Sequence, residues 1–171
     1  RFSGHWESGE PLPPDLFRKM EQTRRFMGGW AQMRQISFGI MDLALHTEFD
    51  PATHGDPVAW ATERILDLAP DREFAGTHPL TSFLHLFSGG YAASYYAYLW
   101  SEVLEADLFS RFRDEGIFSR NVGQAFLDTI LSRGDEKDPD LLFREFMGRD
   151  PDPEPLLRRN LGALAGTEEA A

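Results

Sequence analysis

The stretch His85-Leu86-Phe87-Ser88-Gly89-Gly90-Tyr91-Ala92-Ala93-Ser94-Tyr95-Tyr96-Ala97-Tyr98-Leu99-Trp100 places all four tyrosines of the 171-residue chain within eight residues, directly after a Gly-Gly pair and a histidine. From Tyr91 the sequence runs to Glu115 without another glycine or proline, and Gly116 follows. That uninterrupted segment predicts one long helix over 90–115, because glycine and proline are the strongest local breakers of helical structure. On such a helix Tyr91, Tyr95 and Tyr98 are separated by four and three residues and share one stripe. They form a ladder of hydroxyls about 10 Å long at about 1.5 Å rise per residue. Tyr96 falls on the neighbouring face with Leu99 and Trp100, where packing is expected. Ala92, Ala93 and Ala97 lie opposite and leave room for another helix.

Helical punctuation recurs on both sides of this segment. Pro13-Pro14 precede a helical run from Asp15 to Met20, which Gly28-Gly29 are expected to close. From about Trp30 to Glu48, residues Met33, Ile36, Ile40, Leu43 and Ala44 repeat at helical spacing. Asp56-Pro57 and Asp138-Pro139 each pair a capping aspartate with proline at the first helical position, opening helices expected to end near Leu68 and at Gly148. Ser119 can cap a helix through Leu131 that stops at Gly134, and a last helix begins near Pro153. Ala69 to Thr81, with Pro70, Gly76 and Pro79, reads as a loop. No segment shows convincing strand alternation. The expected fold is all-α, one multi-helix unit over 1–164 with a frayed tail at 165–171.

Composition narrows the class. Hydrophobic residues make up 42% and charged residues 26%, the balance of a globular chain rather than a disordered one. No apolar run approaches the roughly 18 residues of a membrane span, and the charged, Gly- and Pro-containing start is no signal peptide. A net charge of -11 argues against a nucleic-acid partner, since no basic patch is present to neutralise phosphates. With no cysteine the chain has neither disulfides nor thiolate metal sites, which fits a reducing, cytoplasmic setting. The charged pairs Arg24-Arg25 and Glu63-Arg64 and the run Arg111 to Glu115 read as solvated helix faces. Trp30, Trp60 and Trp100 read as packing residues, and Arg34 and Asp42 give no ground for a buried pair.

The tyrosines carry the chemistry. A phenol joins an apolar ring to one rigid donor-acceptor group, so it suits substrate recognition at small entropic cost. Three in a row can hydrogen-bond successive carbonyls of an extended peptide. Gly89-Gly90 tolerate positive φ and let backbone approach a ligand, and His85 donates or accepts near neutral pH. Against this stands the plainer reading that aromatic residues at helical spacing are core.

The order of several motifs adds a further indication. His85 to Asp107 closely resembles the C-terminal region of the thimet oligopeptidase and oligopeptidase A family of zinc metallopeptidases, with the bacterial oligopeptidase A branch most similar. His5-Trp6-Glu7-Ser8-Gly9-Glu10-Pro11-Leu12-Pro13, Arg34-Gln35, Leu45-His46, Ile130-Leu131-Ser132-Arg133-Gly134 and Phe146-Met147-Gly148-Arg149-Asp150-Pro151 follow the family's order at similar spacing. The resemblance covers roughly 2–162. It implies an enzyme that hydrolyses short peptides with zinc held by a His-Glu-x-x-His helix and a later glutamate, the motif's glutamate acting as general base on metal-bound water. It further implies Tyr98 as the tyrosine that stabilises the transition state and His85 as its companion. By the same resemblance Tyr91 and Tyr95 contact substrate, and Gly89-Gly90 form the flexible glycine loop. Ser94 stands where many relatives carry glycine.

The metal motif itself does not occur in this sequence. His5, His46, His54, His78 and His85 are the only histidines, and no two are spaced three or four apart. His78 and His85 with Glu73 form a weak alternative metal set across a proline-containing loop. His46 reads as a cation near the carbonyls ending its helix, and His5 and His54 as loop residues. The expectation is therefore a C-terminal portion of a zinc oligopeptidase, with the metal segment upstream of Arg1, no metal bound by this chain and no peptidase activity from it alone. Short peptides are the expected partners, and faces left apolar by truncation would promote self-association. Two other readings stay open: a stand-alone helical peptide-binding module without catalysis, and a structural protein whose tyrosines are buried core.

Overall fold

A computed structural model of the chain describes residues 4–66, 68 and 79–162. Among the described residues there are seven α-helices and no strand, only an isolated bridge between Gly4 and Pro11. The fold is all-α. The residues from 165 onward, His78, Glu73 and most of the expected loop at 69–81 lie outside the described residues.

Helix α1 spans Pro14–Thr23 with proline at its first position. It stops well short of Gly28-Gly29, which open the next helix rather than closing this one. The break is made at Met27, whose φ of 56° is left-handed. Helix α2, Gly28–Thr47, then begins where a side chain would not fit, because a Cβ on Gly28 would sit 2.3 Å from the Asn160 carbonyl oxygen. The buried face of α2 is Ser37, Phe38, Gly39, Met41, Asp42 and Ala44, while Ile40 and Leu43 of the expected apolar stripe are partly exposed.

Helix α3, Pro57–Ile65, starts as expected: Val58 N–H donates to the Asp56 carboxylate at 2.8 Å. It packs on α2, and Phe38, Met41, Ala61 and Ile65 form a core completed by Trp60, Leu80, Phe83 and Tyr95. Short 3₁₀ turns at Pro79–Ser82 and Leu84–Leu86 lead to the tyrosine stretch.

That stretch departs from the expected helix. Helix α4 spans Ala97–Glu115, so Tyr91 to Tyr96 precede it as a run of tight turns. Gly89, Gly90 and Ala93 have φ of 72°, 77° and 57°, a left-handed backbone that no right-handed helix can include. Tyr96 and Trp100, expected to pack, are about half exposed, at 52% and 51%.

Ser119 accepts from Val122 N–H and caps α5, Arg120–Phe126, which continues as a π-helical turn over Leu127–Leu131. Helix α6, Pro139–Met147, ends on Gly148 with φ 74°. Helix α7, Glu154–Leu161, lies on α4, where Val103, Ala106 and Leu156 make a second core with Leu99 beside it.

Candidate functional site

Although the ladder is not helical, the turns converge its members on one point. The His85 ring lies edge-on to three phenols, with centroid distances of 5.1 Å to Tyr91, 5.4 Å to Tyr95 and 5.6 Å to Tyr98. Tyr91 and Tyr98 stack at 5.3 Å, and Tyr95 stands 5.2 Å from Tyr98. His85 Nε2 is 3.2 Å from the Tyr98 hydroxyl. Tyr98 reaches this position from the first turn of α4, His85 from the second 3₁₀ turn, and Tyr91 and Tyr95 from the turns between.

The three phenols do different things. Tyr95 packs its ring edge-on against Phe38 and Phe83 in the core, and its hydroxyl donates to Gln35 Oε1 at 3.1 Å. Burial, the largest influence, pushes its pKa above the usual 10.0, against the opposing charge of Arg34 and the bond to Gln35. Tyr91 and Tyr98 are 39% and 41% exposed, which rules out the reading of all three as core. Hydrogen bonding with the Tyr91 phenol, above all, also holds the Tyr98 hydroxyl above the ordinary phenol value.

His85, Tyr95 and Tyr98 form one wall of a groove of about 640 Å³. Gly28, Ala31, Gln32 and Gln35 of α2, Arg24 and Phe26 before it, Leu99 and Glu102 of α4 and Asn160 of α7 contribute the rest. Tyr91 and the two glycines are not part of the lining. Tyr91 stacks against Tyr98 instead, and Gly89 and Gly90 shape the approach to the turn.

Three members of this site escape sequence reasoning. Arg24 reads as part of a solvated face, yet it lines the groove. Gln35 reads only as part of a motif, yet it holds Tyr95. Asp42 is fully buried, at 0% exposure, and its carboxylate accepts from Ala93 N–H at 3.1 Å and Tyr95 N–H at 2.9 Å. A signal for Asp42 is present, because 38, 41, 42 and 45 form a helical stripe of Phe, Met, Asp and Leu in which an acid is out of place.

Comparison with known proteins gives the family. The sequence profile of peptidase family M3 matches residues 1–161. The chain belongs to peptidase family M3. It is 45% identical over 158 residues to oligopeptidase A of Escherichia coli (strain K12), covering 91% of this chain and 23% of that protein. It is 43% identical over 179 residues to an organellar oligopeptidase A, chloroplastic/mitochondrial, of Arabidopsis thaliana, covering 97% of this chain and 21% of that protein. A dipeptidyl carboxypeptidase of Salmonella typhimurium is 32% identical over 164 residues, covering 92% of this chain and 23% of its own length. The chain thus spans less than a quarter of the M3 peptidases it matches. Among the described residues no group of three or more His, Asp or Glu side chains could hold a metal ion, and no helix is long and apolar enough to cross a membrane.

Proposed function

We propose that the chain is the substrate-binding and oxyanion-stabilising portion of a zinc-dependent oligopeptidase that hydrolyses short peptides, with Tyr98 and His85 as its catalytic residues. The observation that carries this reading is the 3.2 Å approach of His85 Nε2 to the Tyr98 hydroxyl on the wall of a groove of about 640 Å³. With its proton on Nε2, the imidazole donates to the phenol oxygen, so the phenol proton, which bonds to Tyr91 when no substrate is present, can be turned to a substrate. That proton then points to the scissile carbonyl oxygen and strengthens its hydrogen bond as negative charge develops there. A phenol is protonated, and so a donor, throughout the neutral range. Tyr91 and Tyr95 flank the bound peptide, and Gly89-Gly90 let its backbone come close.

Zinc is assigned to the complete enzyme rather than to these side chains, and residence in the cytoplasm is proposed for it. The test is Tyr98→Phe in the full-length enzyme. It is expected to lower kcat about 10² to 10³-fold, the usual effect of deleting one oxyanion donor, while KM changes little. Retention of kcat overturns the role of Tyr98.

A further inference from the structure

The reading of Tyr98 as oxyanion donor requires that its neighbours be held still, and the structure contains a device for this outside the tyrosine stretch. We infer that Asp42 is a positioning residue for the catalytic turn, acting through the backbone rather than by touching substrate. This inference rests on the proposed role of Tyr98.

Asp42 lies on the buried face of α2, and its side chain is wholly shielded from solvent. A carboxylate in such a place is costly unless its lone pairs are satisfied. Here both oxygens are used: Oδ1 accepts from Ala93 N–H at 3.1 Å and Oδ2 from Tyr95 N–H at 2.9 Å, across 51 and 53 residues of sequence. His46 closes the arrangement from one helical turn further on, with Nδ1 3.2 Å from Asp42 Oδ1 and 2.8 Å from its main-chain oxygen. The His46 ring lies 5.5 Å from Phe87, so the same pair also borders the segment entering the turn.

The two amides that Asp42 holds flank the conformational break. Ala93 has φ 57°, a left-handed conformation that is unfavourable for an L-residue and persists only where its surroundings fix it. The bond to its own N–H is one such constraint. The bond to Tyr95 N–H fixes the residue whose ring touches His85 and Tyr98, and the backbone reaches Tyr98 three residues later, at the start of α4. Without the carboxylate, the two long-range bonds that oppose extension of α4 back through residues 91–96 are lost. Extension would move Tyr91 and Tyr95 onto a stripe and away from His85.

The test is a double-mutant cycle in the full-length enzyme, using Asp42→Asn and Tyr98→Phe. The amide retains one acceptor and turns a donor toward the other N–H, so one clamp bond is lost without a change of size. Misplacement of reacting groups by about 1 Å can cost about 10²-fold in rate. The expected result is a fall in kcat of about 10- to 100-fold with KM nearly unchanged, and almost no further fall when Asp42→Asn is added to Tyr98→Phe. A full effect of Asp42→Asn in the Tyr98→Phe background overturns the inference, because the carboxylate then acts elsewhere. So does an unchanged kcat in Asp42→Asn when Tyr98→Phe is impaired. If Tyr98→Phe itself retains kcat, the proposed function fails first, and that outcome is read from the single variant. Should Asp42→Asn not fold, Asp42→Glu displaces the charge by one methylene and is expected to show the same kcat loss. If neither folds, Asp42 is a folding requirement and the positioning role is withdrawn.

Discussion

The guanidinium of Arg149 binds the carboxylate of Asp107 at two points, Nη1 to Oδ2 at 2.7 Å and Nη2 to Oδ1 at 2.5 Å. Asp107 is fully buried in α4, whereas Arg149 follows α6 and is 44% exposed. Asp152 N–H adds a third bond at 2.8 Å, so one carboxylate fastens α4 to the link between α6 and α7. Burial pushes the Asp107 pKa up, but the bonds from Arg149 and the Asp152 amide outweigh it and hold the carboxyl below its ordinary 3.8. A depressed carboxyl stabilises the fold above its unfolded pKa and loses that contribution as pH falls through the folded value. Stability is therefore expected to be flat in this term above about pH 5 and to decline below about pH 4. Arg149→Ala is expected to cost about 1.5 to 3 kcal/mol, the range for hydrogen bonds to a charged group, and to flatten the acid limb. Urea unfolding across pH measures both.

Phenol ionisation gives a second expectation. Tyr95 and Tyr98 have pKa values raised above 10.0 by burial and by the Tyr91 phenol respectively. A group with a raised folded pKa contributes stability that is intact below the unfolded value and lost as pH rises through the folded one. Phenolate absorbance should therefore lag behind that of free tyrosine at pH 10, and stability should decline above it. Tyr98→Phe is expected to remove part of the lag. Titration together with free tyrosine would contradict this.

The chain alone is expected to show no cleavage of an internally quenched peptide, with or without added zinc, and no stoichiometric metal. Its sequence has no His-Glu-x-x-His, and the described side chains provide no metal cluster. Zinc-dependent cleavage by the purified 171-residue chain would refute this and bring His78, His85 and Glu73 forward.

Gly28 is expected not to accept a side chain. A Cβ there meets the Asn160 carbonyl oxygen at 2.3 Å, and both residues line the groove. Gly28→Ala must push α7 from α2 and should cost about 1 to 3 kcal/mol, the usual range for overpacking. Thermal unfolding tests this, and a variant as stable as the parent would show that the two helices yield freely.

Exposed aromatic side chains lead to a prediction about association. Phe118, Trp6, Phe87 and Phe26 are 97%, 85%, 82% and 80% exposed. Side chains of this size left in water promote self-association, so sedimentation should show mass increasing with concentration. A monomer at all concentrations would count against it.

Much of this molecule is legible in its sequence. The Asp56-Pro57, Ser119 and Gly148 signals mark real helix boundaries, because capping and left-handed termini depend on residues within one turn of each other. The meeting of His85 with the tyrosines is legible too, since all are close in sequence. The shape of the cluster is not. It depends on an acid 51 residues away that holds Ala93 in a conformation alanine rarely adopts, and local periodicity is blind to such a contact. For the same reason Gly28-Gly29 reads as an ending, when its purpose is to admit the Asn160 carbonyl from the far end of the chain.

The inward turn of the Tyr95 hydroxyl has a consequence for what the groove can measure. Three rungs along a helix would be a ruler, able to count residues of an extended peptide at about 3.4 Å each. With one rung turned to Gln35 and the other two stacked face to face, the cluster is a single anchoring point with no graduations. Under the proposed function, it would fix where along a peptide the chain is gripped but not how far the peptide extends on either side. Under the same proposal, discrimination by substrate length would have to come from surfaces other than these phenols.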